Sequence, residues 1–96
     1  MRILGYIENK PCKITVFQLE HKFAIKFEDN LFEQTFKLRM SEEINGLKEI
    51  EALVDKEMMD GVMQRFISMH RDLEDAKIRN IQMNKEDEFD EILWLD

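Results

Sequence analysis

Three side chains in this sequence have types that could carry chemistry alone: Cys12, His21 and His70. A nucleophilic cysteine needs a histidine base within hydrogen-bond reach. Cys12 and His21 bracket one strand-like stretch, so the hairpin holds them at opposite ends. His70 has Asp72 and Glu74 near it, but no cysteine or second histidine at a metal-ligand spacing. It reads as an exposed helical histidine. The glycines, Gly5, Gly46 and Gly61, are isolated and cannot build a phosphate-cradling loop. The acids are numerous, yet none coincides with a local apolar pocket that would raise its pKa. The sequence therefore predicts no catalytic residue, no metal site and no cofactor, and the chain does not read as an enzyme.

Composition narrows the remaining classes. Ninety-six residues make one domain with a thin core. A hydrophobic fraction of 44% excludes a wholly disordered chain, and a charged fraction of 36% implies long solvated faces. The net charge of −7 is unevenly placed. Residues 86–96 carry six of the 21 acids and no base, so the rest is nearly neutral at 15 acids against 14 bases. No basic block is available to neutralise phosphates, which argues against a nucleic-acid partner. No run of 18 apolar residues exists to span a membrane, and the first residues lack the apolar core of a signal peptide. With a single cysteine, these features predict a cytoplasmic protein.

The elements that position these residues follow from hydrophobic period. Up to about Ser41 apolar residues alternate, as in strands with one buried face. Beyond it they recur every three or four positions, at Leu47, Ile50, Val54, Met58, Val62, Phe66, Met69 and Leu73, as along a helix. Turn signals at Asn9-Lys10-Pro11, Glu20-His21 and Asp29-Asn30 divide the first part into strands at about 2–8, 12–19, 22–28 and 31–39. Two-residue loops would set Ile7 opposite Cys12, Val16 opposite Ile25 and Phe27 opposite Phe32, all on one face. They would also set Lys13 opposite Glu28 and Lys26 opposite Glu33, with one unfavourable pair, Lys22 and Lys37. On the second face Leu4, Tyr6, Phe17 and Leu19 gather around Ala24 as a patch of the kind that marks an interface.

Ser41 is a candidate helix cap, although Asn45-Gly46 moves the expected start toward Leu47. A helix continuing to about Ile81 would span roughly 50–60 Å. A strand of about eight residues spans roughly 26 Å. Either the helix breaks at Asp60-Gly61 into a hairpin, or it runs straight and pairs with a second copy. Met59, Val62, Phe66, Met69, Leu73 and Ala76 lie on an a/d heptad seam, out of phase with Leu47, Ile50 and Val54. One stripe is expected on the chain's own sheet and the other on a partner. Residues 85–88 read as a polar linker before a tail that alternates acids with large hydrophobes. Three expectations compete for it: a short strand or helix docked on the Phe17 patch, within the chain or across a dimer; a peptide inserted into another protein's groove with Phe89, Leu93 and Trp94 as anchors; or a disordered end with no role.

The expected fold class is α+β. A four-stranded antiparallel meander precedes a long helix that is either continuous or broken at Gly61, followed by an acidic-aromatic tail. Residues 1–85 form the ββββα domain and 86–96 the tail. The expected function is a non-catalytic protein–protein interaction module, homodimeric, of the adaptor, regulatory-subunit or secretion-chaperone kind. The competing expectation is a small-ligand-binding or catalytic domain whose site lies at a dimer interface.

Overall fold

A computed structural model describes the backbone of residues 1–94 and the side chains of residues 1–84. Strands β1 (Arg2–Ile7), β2 (Lys13–Gln18), β3 (Lys22–Glu28) and β4 (Glu33–Arg39) form one antiparallel sheet in the order β1-β2-β3-β4. Helices α1 (Leu47–Leu53) and α2 (Lys56–Trp94) follow. The α+β meander-then-helix layout is the one that the change of period predicts. The chain divides into two compact units, Met1–Phe66 and Ile67–Asp96.

In the first unit, alternation puts Ile7, Ile14, Val16, Phe23, Ile25 and Phe27 on one face, all buried. Phe36 completes this face from β4 with its ring edge-on to Phe27, centroids 5.7 Å apart. The three hairpins close by different chemistry. Asn9 takes a positive φ of 62° between β1 and β2. Glu20 and His21 form the tight connection of β2 to β3, where the Leu19 N–H donates to the Lys22 carbonyl at 2.9 Å. Asp29 shapes the third, its Oδ1 accepting from the N–H groups of Leu31 at 2.9 Å and Phe32 at 2.7 Å.

The registers refine the expected ones. The middle hairpin pairs Lys13 with Glu28 and Val16 with Ile25, as two-residue loops predict. The outer two are each longer by two residues at their turns. Ile7 faces Ile14 rather than Cys12, and Phe27 faces Gln34 rather than Phe32. A shift of two preserves every face, because side chains alternate with period two. Lys37 consequently faces Ala24 and not Lys22. Lys26 still reaches Glu33, now diagonally, at 3.3 Å, and Glu28 at 3.7 Å. A bulge between Ile3 and Gly5 changes parity, so Ile3 lies beside Phe17 rather than Val16.

Residues of α1 and the start of α2 cover the apolar face. Ile50, Val54, Met59, Val62 and Phe66 are buried. Leu47 packs onto the bare backbone of Gly5, where a Cβ would come within 2.6 Å of Leu47 Cδ2. Two polar ties fix the start of α2 over β4. Gln34 Nε2 donates to the Val62 carbonyl at 2.8 Å, and Arg65 Nε donates to Gln34 Oε1 at 2.9 Å. The Arg65 guanidinium also lies 5.6 Å from the centre of the Phe36 ring.

The helical break falls elsewhere than at Gly61. Val54 ends α1 at φ −83°, ψ 68°, and Asp55 caps α2 by accepting from the Met58 N–H at 2.9 Å. Gly61 is an interior residue of α2, with the Arg65 guanidinium folded close over its backbone. Ser41 caps no helix. Its Oγ accepts from the Ile44 N–H at 3.1 Å in a turn ahead of α1, whose N-cap is Gly46. At the other end α2 runs through residues 85–88, so these are helical rather than a linker. Its 39 residues correspond to about 58 Å of helix.

Candidate functional site

The second face of the sheet carries the expected patch in altered form. Phe17 has Ile3 and Ala24 as its ladder neighbours, and Tyr6 stands beside Thr15. Ala24 and Thr15 at the centre are buried, whereas Ile3 and Tyr6 are about half exposed. Leu4 sits in the bulge, half-buried and without a place in the ladder. Leu19 joins Phe17 and Ala24 in a groove of about 310 Å³ that Lys26, Thr35 and Lys37 help to line. The structure thus brings Tyr6, Phe17 and Leu19 to one face and adds Ile3. A bulge is what the alternation rule alone cannot foresee.

The heptad seam divides between two environments. Met59, Val62 and Phe66 are buried inside the first unit, so they are not available as surface. From Ile67 to Asn84 none of the side chains is buried. Met69 and Ala76 are half-buried there, while Leu73 is 40% and Met83 63% exposed. Ile67, Ile78 and Ile81, each about half exposed, fall on nearly the opposite side of the helix at 100° per residue. The side chains of Phe89, Leu93 and Trp94 lie outside the described residues.

The groups with possible chemistry are held apart. Cys12 lies just ahead of β2, at the edge of two hollows of about 460 and 430 Å³ that share Pro11, Cys12 and Lys13. Burial, then the nearby Asp29 carboxylate, pushes its thiol above the ordinary value of 9.0. At neutral pH it is a protonated thiol, the form that does not attack. His21 stands at the β2–β3 turn, 88% exposed, with Nε2 4.0 Å from the Glu20 carboxylate. His70 lies half-buried on α2. Among the described residues no three His, Cys, Asp or Glu side chains gather as metal ligands, and no helix is long and apolar enough to cross a membrane.

The tie made by Gln34 and Arg65 is absent from the sequence reading. Its signal was present: register puts Gln34 on the core-facing side of β4, and an amide half-buried there calls for a hydrogen-bonding partner. No family model matches the chain, and no curated protein or solved structure is significantly similar to it.

Proposed function

We propose that this protein is a non-catalytic interaction module of the cytoplasm, acting as an adaptor, regulatory subunit or secretion-type chaperone and assembling as a homodimer. One observation supports the reading above the others: α2 continues past Phe66 with Leu73, Ile78, Ile81 and Met83 exposed and no side chain buried up to Asn84. A lone helix in water is only marginally stable, and burial of an apolar stripe against another element is what normally sustains it. The methionines on this helix suit a contact surface that tolerates more than one partner shape. The groove beside Phe17 offers a second contact surface in the first unit.

Light scattering on the purified chain tests the reading. The wild type should have the mass of a dimer, and Leu73→Asp should return it to a monomer. Leu73 is suited to this test because it is exposed; Phe66, at 2% exposure, belongs to the core of the first unit and its replacement by Asp would unfold that unit instead. A wild-type monomer at high concentration would sink the reading.

A further inference from the structure

Three surfaces compete as sites for a further function: the Cys12 hollows, the groove beside Phe17, and α2 beyond Phe66. Only on the helix does the sequence itself point to what covers it. We infer that two copies of this chain pair their α2 helices in parallel and in register. Leu73, Ala76, Asn80 and Met83 form the seam, and Asp72 of each copy lies beside Lys77 of the other. This inference deepens the homodimer reading above and rests on it.

The heptad that begins in the core assigns Leu73 and Asn80 to position a, and Met69, Ala76 and Met83 to position d. Asp72 and Arg79 then fall at g, and Lys77 at e. In a parallel pair, g meets e of the second helix five residues further on, which sets Asp72 against Lys77 twice by symmetry. Lys77 holds Glu74 of its own helix at 3.4 Å, an exposed contact that leaves its remaining donors free to serve the second copy.

Charge alone does not fix the direction. An antiparallel pair brings g against g, so Asp72 would meet Arg79 of the second copy, which is also favourable. Asn80 decides between them. Parallel in-register helices place position a against position a, so the two Asn80 amides meet and hydrogen-bond to each other. Antiparallel helices place a against d, leaving Asn80 against methionine or alanine with its amide buried and unpaired. Such an orphaned amide outweighs an exposed ion pair. On this frame the next two seam positions are Asp87 and Asp90, so the apolar seam ends at Met83 and Asn80 is the one polar residue between Phe66 and that end. A single asparagine at a is a device that sets register and strand number at some loss of stability.

Cross-linking and charge exchange test the arrangement on the full chain. In a Cys12→Ser background, Ala76→Cys, at a d position that faces itself in a parallel in-register pair and leaves Asn80 in place, should form a disulfide-linked dimer almost completely under mild oxidation, as seen on a non-reducing gel. Asp75→Cys, on the outer side of the pair, should cross-link little. Separately, Asp72→Lys should weaken the dimer about tenfold, since two attractions become two repulsions. Adding Lys77→Asp should restore it. Rescue by Arg79→Asp instead of Lys77→Asp would overturn the parallel arrangement. So would a wild-type trimer or tetramer, which could bury Ile78 and Ile81 as well. A wild-type chain that is monomeric overturns the homodimer reading itself. A dimer that neither cross-links at position 76 nor is rescued by Lys77→Asp overturns only the arrangement.

Discussion

Gly5 is a glycine because of its neighbour, not because of its backbone. A Cβ at this position would come within 2.6 Å of Leu47 Cδ2, closer than carbon atoms tolerate. Leu47 can turn aside for a methyl group but not for a branched side chain. Gly5→Val should therefore cost about 1–3 kcal/mol in urea unfolding, and Leu47→Ala in the same chain should recover part of that loss. Full additivity of the two substitutions would refute the contact. Cys12 makes a second residue-scale prediction. Its thiol is harder to ionise in the folded chain than in the unfolded one, first through burial and then through Asp29. Above pH 9 the unfolded chain loses this proton first, so folding stability falls as pH rises through that range. Unfolding midpoints at pH 8 and pH 10 should differ less in Cys12→Ser than in the wild type. Neither effect was legible in the sequence. Gly5 and Leu47 are 42 positions apart, and the Cys12 environment depends on the β3–β4 turn, which the strand pairing brings to the same end of the sheet.

At the scale of elements, Gln34 is the most consequential side chain outside the apolar core. Its amide donates to the Val62 carbonyl and accepts from Arg65, so one residue of β4 orients the start of α2. Gln34→Ala should destabilise the first unit by about 1–2 kcal/mol, and Arg65→Ala should then add less than it does alone. Unfolding curves of the two single variants and the double variant check this. The strands were legible because their alternation is tied to burial, and burial fixes a face even where loop length is misjudged. That is why two registers were off by two residues while Ile14, Val16, Phe23, Ile25 and Phe27 stayed together. The helices were less legible. Gly61 looks like a breaker but is carried inside α2, whereas the real break at Val54-Asp55 contains neither glycine nor proline. The one-residue phase shift between the two apolar stripes was its trace. The Asp55 cap that starts α2 was readable in principle, since aspartate is a preferred capping residue.

For the whole molecule, the two units differ in what sustains them. The first buries twelve apolar residues, from Ile7 to Phe66, all but Ala24 on the sheet face that the helices cover or in the helical segment over it. Nothing equivalent exists between Ile67 and Asn84. If association supplies the missing burial, helix content must depend on concentration. Ellipticity at 222 nm should weaken on dilution over the range in which light scattering passes from dimer to monomer. Constant ellipticity through that range would mean that α2 holds without a partner. The sequence foretold an excess of apolar helix surface, because heptad spacing persists after the sheet-facing stripe ends. It could not tell where the core stops along that stripe, since Phe66 and Leu73 occupy equivalent heptad positions.

The bulge between Ile3 and Gly5 has a consequence for solubility. β1 is an outermost strand, and its outer row of amides and carbonyls could template the addition of another chain. An extra residue twists that row and spoils the match, while Lys37 and Arg39 guard the opposite margin. Deleting Leu4 would straighten β1 and remove the obstacle. Agitated solutions of the deletion variant should form thioflavin-positive fibrils under conditions in which the parent chain stays clear.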